Sequence, residues 1–385
     1  MSKILFIVRG YFPDQSASGN LLFPLIEEMK KEHEVDILTL SNSEIESDEN
    51  IYRLKIKSIT SIGMRLLDYI QRQTNVFYYK SNIKKLIKNE IEKLDSENNY
   101  DFYIAVTYEE ILALLESKVD KNKKCLFLLE KLPESSYIPF FRRKQKKFNL
   151  TFLANLNFYT DKIFSLPIVY ETLSRLNLKG VYLLEHPMVR DLTNPQIDKN
   201  HIKYNILYAG GLDKIQRNPY KVIKFFKKIS KVDSSIHCDF YSYGNLQKNL
   251  KKMNNNMFSF NDAIPSNELQ QKYLSSNLLI TIGNKENDIF PSKLFDCLSM
   301  GIPILHFAQN KADPYFDYLN DYKYALIILY DDLECDESIQ KFISFKKLME
   351  SEIKNLEFSM IKDKFYICTP EYNAKIITDV LSYYD

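Results

Sequence analysis

The stretch NLLITIGNKENDIFPSKLFDCLSMGIPILHF, residues 277–307, decides the fold. Its apolar run at residues 278–282 predicts a buried parallel strand, and residues 303–307 predict a second one. Between them, Pro291 suits the first position of a helix, because its missing N–H would be unpaired there, and Gly301 suits a left-handed C-terminal cap. The order strand, polar loop, helix, strand predicts a βαβ unit with a ligand site at the carboxyl end of the first strand.

The polar loop and the helix start carry the candidate binding residues. Ser292 and Lys293 follow Pro291, so unpaired N–H groups, the positive end of a helix dipole and an ammonium group coincide, which favours phosphate binding without a metal. Asp288 and Asp296 lie eight positions apart around this site. Because a carboxylate repels phosphate, we expect both to bind sugar hydroxyls. The alternative is an ordinary βαβ unit with two solvated aspartates.

Composition limits the class of protein. A chain of 385 residues with 45% hydrophobic residues predicts two or three globular domains, and a net charge of +2 excludes recruitment of nucleic acid by a global field. Five cysteines without a C-x-x-C pair indicate a reducing compartment. The sequence has no apolar run of about 18 residues, and its start becomes polar too soon for a signal peptide. We therefore expect a cytoplasmic protein.

Glycine marks the expected ligand-binding edges, because the chain has only nine. Six follow predicted strands or flank the loops after them: Gly10, Gly19, Gly210, Gly211, Gly244 and Gly283. Ligands bind at this edge of doubly wound parallel sheets, so both halves of the chain are expected to carry a site. The first half lacks a G-x-G-x-x-G sequence, which argues against a dinucleotide site there.

Strand and helix patterns predict two α/β domains of the same kind. The expected division is 1–187 for the first domain, 188–203 for a linker, 204–368 for the second domain, and 369–385 for a helix packing back towards the first. Residues 51–99 are expected to be mostly lysine-rich amphipathic helix. Asp313, Asp317 and Asp321 fall on one helical face, which predicts a solvated surface.

The chain resembles the GT-B glycosyltransferases, most closely family 4. The most specific part is PSKLFDCLSMGIPIL, which is similar to that family's segment, and Asp288 and Asp296 have the spacing of its paired glutamates. KILFIVRGYFP near the start, LLEHPMV at the domain junction and ILYAGGL opening the second half support the resemblance. It implies an α/β protein of GT-B architecture, with two Rossmann-like doubly wound domains facing a central cleft.

The resemblance also implies a function and roles for residues. The first domain would hold a glycan or lipid-linked acceptor and the second a nucleotide-sugar donor, UDP- or GDP-linked, for surface polysaccharide or glycoconjugate synthesis. No further cofactor is implied, and the absence of a D-x-D sequence favours a metal-independent enzyme. Asp288, Lys293 and Arg217 form the implied catalytic set. The implied donor-binding set is Gly19, Gly210, Gly211, Ala263, Ile264, Asn284, Ser292, Lys293 and Asp296.

Within these sets, Ser292 and Lys293 would meet the diphosphate and Asp296 the ribose. Asp288 would bind the donor sugar, and the backbone near Ala263 and Ile264 the base. Gly19 would let the first loop approach the diphosphate and acceptor.

Several departures from the family pattern leave alternatives open. Both paired acids are aspartates where the family prefers glutamates, and Arg217 stands slightly displaced from the expected basic position. An exposed turn arginine is the alternative for Arg217. Glu130 lies near the place of the family's first-domain histidine, so the stereochemical outcome stays open although the resemblance favours a retaining, hexosyltransferase-like enzyme. A GT-B sugar-nucleotide epimerase and a catalytically inactive binding subunit are the competing interpretations.

One basic, aromatic segment suggests contact with a membrane. Residues 140–152 combine Arg142, Arg143, Lys144, Lys146 and Lys147 with Phe140, Phe141, Phe148 and Phe152. Such a mixture suits a helix lying on anionic lipid, at the inner face of the cytoplasmic membrane. The alternative is a plain solvated helix face.

Overall fold

The computed structural model describes residues 1–11, 17–41, 50–55, 82–132, 138–193, 203–285, 290, 292–353 and 356–384. The chain divides into two compact units, Met1–Met188 with Ile367–Asp385, and Val189–Tyr366. Each unit contains one parallel sheet with helices between its strands, which confirms the predicted α/β class. Asp288 and Pro291 lie outside the described residues.

The first unit has a seven-stranded sheet. Its strands are β1 (Lys3–Val8), β2 (Glu34–Ser41), β3 (Ile51–Lys55), β4 (Phe102–Val106), β5 (Lys124–Leu128), β6 (Ile163–Ser165) and β7 (Val181–Leu183). Its described helices are α1 (Ala17–Met29), α2 (Asn82–Glu97), α3 (Tyr108–Glu116), α4 (Pro139–Ala154) and α5 (Pro167–Ser174). The strand order is β3-β2-β1-β4-β5-β6-β7, and every neighbouring pair is parallel.

The second unit has a six-stranded sheet. Its strands are β8 (Tyr204–Gly211), β9 (Ile236–Tyr243), β10 (Phe258–Asp262), β11 (Leu278–Ile282), β12 (Ile304–Ala308) and β13 (Ala325–Leu329). The described helices of this unit are α6 (Tyr220–Ile229), α7 (Gln247–Lys251), α8 (Ser266–Leu274), α9 (Lys293–Ser299), α10 (Phe316–Leu319), α11 (Asp336–Glu352) and α12 (Phe358–Lys364). The last helix of the chain, α13 (Pro370–Tyr384), belongs to the first unit. The strand order is β10-β9-β8-β11-β12-β13, again all parallel.

The central strands form because their sequences are apolar on both faces. Every residue of β4, β5, β11 and β12 is buried, as expected for parallel strands covered by helices on both sides. The predicted βαβ unit is confirmed: α9 lies between β11 and β12, and Gly301 takes a left-handed φ of 62° just past its end.

The prediction for residues 51–99 was wrong in part. Residues 51–55 form strand β3, parallel to β2, whereas residues 82–97 form helix α2 as expected. Residues 56–81 lie outside the described residues. The sequence IYRLK gave no clear strand signal, because β3 lies at the edge of the sheet and only Ile51 is fully buried. Its pairing with β2 therefore decides its conformation.

The last helix packs in the first unit. The His33 Nε2 atom lies 2.9 Å from the hydroxyl of Thr378 in α13, and the amide oxygen of Asn373 accepts a hydrogen bond of 2.8 Å from the Glu185 N–H. Asn373 itself is buried. These contacts bring the end of the chain back to the sheet on which the chain began.

Both sheets have a point where the strand order reverses. In the first unit it lies between β1 and β4, and in the second between β8 and β11. Loops leaving two such strands turn in opposite directions, which opens a crevice at their carboxyl ends. Ligand-binding residues are therefore expected in the crevice of each sheet.

Candidate functional site

In the second unit, the loop after β8 is held in a tight turn. The Asp213 carboxylate accepts hydrogen bonds of 2.7 Å from the N–H groups of Ile215 and Gln216, and the Asp213 N–H donates to the Arg217 carbonyl at 3.2 Å. Gly244, at the end of β9, has a φ of 125°, and a Cβ there would lie 2.2 Å from the Leu212 carbonyl oxygen. The turn is fixed from both sides, so it presents Arg217 in a defined position.

Arg217 is tied to the loop after β11. Its Nε donates a 2.7 Å hydrogen bond to the side-chain oxygen of Asn284. The Lys285 N–H donates to the Gln216 carbonyl at 3.1 Å, which joins the two loops again through the backbone. The sequence had left an exposed turn arginine as the alternative, whereas the structure holds Arg217 partly buried between the two strand ends of the crevice.

Lys293 reaches the same crevice from α9. Its ammonium donates a 3.4 Å hydrogen bond to the Ala209 carbonyl in β8. Desolvation lowers the pKa of Lys293. Cys297 and Asp296 oppose that shift, whereas the nearby positive charge of Arg217 adds to it. An anion bound between the two cations would relieve their repulsion, which is the electrostatic requirement of a phosphate site.

The helix start contributes less than the sequence suggested. Ser292 is the N-cap residue of α9, and its side chain makes no capping hydrogen bond. The helix has only seven residues, so its dipole is short. Charge at this site therefore comes chiefly from the side chains of Lys293 and Arg217.

Asp296 lies one turn into α9 and is half-buried. Desolvation raises the pKa of its carboxyl, while the charges of Arg190 and Lys293 work in the opposite direction. The Arg190 N–H donates to the Ser299 hydroxyl at 3.1 Å, and the Nη1 atom of Arg190 is buried without a hydrogen-bond partner. Sequence reasoning missed Arg190, because no spacing pattern connects it to a helix about one hundred residues away.

A cavity of about 270 Å³ opens beside Arg217. Its lining includes Gly211, Asp213, Arg217, Tyr243, Gly244 and Asn284. Pockets that enclose a whole small-molecule ligand span roughly 300–1,000 Å³. The cavity is slightly smaller, so it suits one portion of a larger ligand.

Behind the crevice, a buried pair supports the loop after β11. The Nε2 atom of His306 lies 3.1 Å from an Asp313 carboxylate oxygen, and its Nδ1 lies 2.9 Å from the Thr281 hydroxyl. The solvated helical face predicted for Asp313 was wrong, because Asp313 precedes α10 and is 4% exposed. The Asp313 carboxylate lies so close to Gly283 that a Cβ added to this glycine would be 1.9 Å from the Asp313 Oδ2 atom.

Other sequence-predicted residues lie elsewhere. Ala263 and Ile264 follow β10, the edge strand of the second sheet. Gly19 lies in the first turn of α1 and Glu130 is exposed just after β5, both in the first unit. The roles expected for the first three of these residues stay predictions.

The crevice of the first unit carries a polar cluster that the sequence analysis missed. Arg9, just after β1, forms a 2.5 Å ion pair with Glu109 in α3. Thr107, just after β4, has a φ of 52°, unusual for a residue with a side chain, and its hydroxyl donates to Glu110. The second oxygen of Glu110 is buried without a hydrogen-bond partner, and desolvation raises the pKa of this carboxyl.

The described part of the chain has neither a metal-binding cluster nor a membrane-spanning helix. No group of three or more His, Cys, Asp or Glu side chains there is arranged to hold a metal ion. Among the same residues, no helix has the length and hydropathy needed to cross a membrane.

Known structures match this fold along nearly the whole chain. The crystal structure of TarM superposes with a TM-score of 0.65 at 10% identity, covering 100% of this chain and 98% of TarM. A glycosyltransferase from Rickettsia africae gives 0.60 at 10% identity, covering 100% and 98%. UDP-GlcNAc 2-epimerase from Methanocaldococcus jannaschii gives 0.58 at 11% identity, covering 99% of both chains.

These matches define the class of fold. The two Rossmann-like domains are those of the GT-B architecture, as the sequence predicted. Both glycosyltransferases and UDP-GlcNAc 2-epimerases occur among the similar structures. No protein-family profile matches the chain, and no curated protein is significantly similar to it in sequence.

Proposed function

We propose that this protein is a metal-independent glycosyltransferase that transfers a sugar from a nucleotide-sugar donor to a glycan or lipid-linked acceptor. The observation that carries the proposal is the pair of cations, Arg217 and Lys293, at the carboxyl ends of β8 and β11, with Arg217 also lining a cavity. Fixed cations of this kind stabilise a departing diphosphate. GT-B glycosyltransferases among the similar structures support the same proposal.

The proposed reaction assigns a task to each cation. The bond between the anomeric carbon and the diphosphate oxygen breaks, the acceptor hydroxyl oxygen bonds to that carbon, and its proton passes to a base. Negative charge grows on the departing diphosphate as the bond lengthens. Arg217, already oriented by Asn284, and Lys293 would neutralise that charge without a divalent ion.

The donor is proposed to be a UDP-sugar, with a GDP-sugar as the second choice. Two of the similar structures, S. aureus TarM and S. aureus MnaA, contain UDP. Asp296 would bind the ribose, Asp288 the transferred sugar, and the backbone at Ala263 and Ile264 the base. Ser292 and the glycine-containing ends of β8 would complete the contact with phosphate.

The acceptor side is proposed to serve surface polysaccharide or glycoconjugate synthesis with retention at the anomeric carbon. The TarM complex contains alpha-GlcNAc-glycerol together with UDP, a combination that suits a hydroxylated acceptor. A lipid-linked acceptor would lie at the inner face of the cytoplasmic membrane.

A sugar-nucleotide epimerase is the second candidate, because a UDP-GlcNAc 2-epimerase shares the fold over 99% of the chain. The two activities differ in what they require. An epimerase inverts a sugar carbon without an acceptor, whereas a transferase forms a new glycosidic bond and releases nucleoside diphosphate in proportion.

The test is a panel of UDP- and GDP-sugars incubated with the protein, with and without small glycoside acceptors, and followed by proton NMR of the anomeric signals. We expect nucleoside diphosphate release that increases with an acceptor and yields a new glycoside. An altered donor sugar without an acceptor would favour the epimerase. Tight nucleotide binding without turnover of any donor would favour the inactive binding subunit.

The same assay is applied to the variants Arg217→Ala and Lys293→Ala. The variant Lys227→Ala, which changes an exposed lysine of α6, serves as their charge-matched control.

A further inference from the structure

Helix α4 in the first unit buries the wrong side chains for an ordinary surface helix. Its fully buried residues are Gln145, Asn149 and Leu153, one stripe at intervals of four. Two of these three are amides. At 100° per residue, the face opposite Asn149 contains Phe140, Lys144 and Lys147, all of them exposed.

Several apolar side chains of α4 are exposed, and another exposed one follows the helix. Phe140 is 60% exposed, and Phe148 and Leu150 are each 41% exposed. Phe158, in the short 3₁₀ turn after the helix, is 77% exposed. Isolated exposed apolar residues need no explanation, but several on one short segment indicate a surface that contacts something apolar.

Helix α6 in the second unit shows the ordinary arrangement for comparison. It buries Val222, Ile223, Phe225, Phe226 and Ile229 and exposes lysines. Both helices are rich in phenylalanine and lysine. Of the two helices, only α4 exposes phenylalanines beside its cations: Phe140 and Phe148 are exposed, whereas Phe141 and Phe152 are half-buried.

The charge of this segment has one sign. Arg142, Arg143, Lys144, Lys146 and Lys147 are all exposed, and residues 138–160 contain no Asp or Glu. The Lys144 ammonium lies 4.5 Å from the centre of the Phe140 ring, so positive charge and aromatic surface are adjacent. Since the whole chain carries only +2, this segment is a strong local excess.

We propose that the exposed face of α4, together with Phe158, docks on an anionic lipid bilayer. An interfacial helix places aromatic side chains among the acyl chains and its Lys and Arg groups at the lipid phosphates. Nucleic acid or an acidic protein would satisfy the cations and leave Phe140, Phe148 and Leu150 in water, so a bilayer fits both properties of the face. Only the purpose of this docking rests on the proposed function: it would bring the first unit, which is expected to hold the acceptor, to a lipid-linked substrate.

The test is co-sedimentation of the full chain with phosphatidylcholine vesicles containing about one third phosphatidylglycerol, at low salt. One variant replaces the cations Arg143, Lys144 and Lys147 by Gln, and another replaces Phe140, Phe148 and Phe158 by Ser. A charge-matched control replaces Lys227, Lys231 and Lys248, exposed lysines of the second unit. Circular dichroism and thermal unfolding check that each variant is folded.

We expect the wild type to sediment with these vesicles and to bind pure phosphatidylcholine weakly. One cation near an anionic surface is worth about a fivefold change in partitioning, so the triple Gln variant should lose on the order of a hundredfold. The triple Ser variant should lose at least about tenfold with all its charge retained, because apolar burial is removed. The control variant should bind as the wild type does.

Three results would overturn the proposal: no sedimentation of the wild type, equal loss in the control variant, or full binding by the Ser variant. Tight binding to a DNA or RNA oligonucleotide that the Ser variant retains would also overturn it, in favour of a nucleic-acid surface. Calorimetry with UDP on the same variants separates the two proposals. If UDP binds and vesicles do not, docking fails alone, and if vesicles bind and UDP does not, the proposed function fails alone.

Discussion

Replacing Gly283 by alanine should damage both stability and nucleotide binding, because the loop after β11 rests on a buried carboxylate. The added Cβ would lie 1.9 Å from an Asp313 oxygen, whereas ordinary contact begins at 3.4 Å. The carboxylate would have to move by about 1.5 Å to reach that contact. It has little freedom to do so, because it is 4% exposed and also accepts a 3.0 Å hydrogen bond from the Tyr315 N–H.

The size of the effect follows from what the shift breaks. Moving the Asp313 carboxylate by that distance separates it from His306, now 3.1 Å away. Leaving a buried polar group without its partner typically costs about 1–3 kcal/mol. An alanine that fitted without strain would instead stabilise by about 0.4–1 kcal/mol, so the sign of the change alone distinguishes the two cases.

The assay is urea unfolding of Gly283→Ala, Asp313→Ala and the double variant. We expect Gly283→Ala to lose about 1–3 kcal/mol of unfolding free energy. The double variant should lose clearly less than the sum of the two single losses, because Asp313→Ala removes the clash. Nucleoside diphosphate binding should weaken in Gly283→Ala, since Asn284 follows directly and orients Arg217. A neutral or stabilising Gly283→Ala, or strictly additive losses, would refute this account of the loop.

Three further predictions concern pH, metal ions and the two aspartates. Glu110 has a pKa raised above 4.5 in the folded chain, so its protonated form is favoured there and unfolding free energy should fall as pH rises through the raised pKa. Glu110→Gln should remove that part of the pH dependence in denaturation curves, and an unchanged profile would contradict it. Activity should survive a chelator, whereas loss restored by a divalent ion would show that a metal neutralises the leaving group. Asp296→Ala should weaken binding of free nucleotide, whereas Asp288→Ala should impair only use of the sugar-linked donor, and equal behaviour in calorimetry and turnover assays would undo that division.

The strands that build the second site were predictable because their signal is local. β11 and β12 are short, mostly apolar runs, and Gly301 and the helix between them are sequence features that need no distant partner. The same reasoning placed Arg217, Asn284 and Lys293 near strand ends. Strand β3 escaped it, because an edge strand with mixed polarity becomes a strand only through its pairing with β2.

Residues whose importance depends on tertiary contacts could not be found in this way. Asp313 has helical spacing to two later aspartates, but its buried contact with His306 decides its environment. Arg190 becomes a candidate site residue only because its charge acts on Asp296 in the folded chain. Glu110 becomes one only because it accepts a hydrogen bond from Thr107 and has a second, buried oxygen without a partner. The inverted pattern of α4 is similarly invisible in composition, since the sequence does not say that Gln145 and Asn149 face inward.

Calorimetric titration of UDP and GDP into the wild type, Arg217→Ala, Lys293→Ala and the control Lys227→Ala tests the central claim most directly. That claim is that the crevice between β8 and β11 holds a nucleoside diphosphate through these two cations. A charge-assisted hydrogen bond is worth about 1.5–3 kcal/mol, so each site variant should bind about ten- to a hundredfold more weakly than the wild type and the control. Unchanged diphosphate affinity in both site variants would contradict the claim.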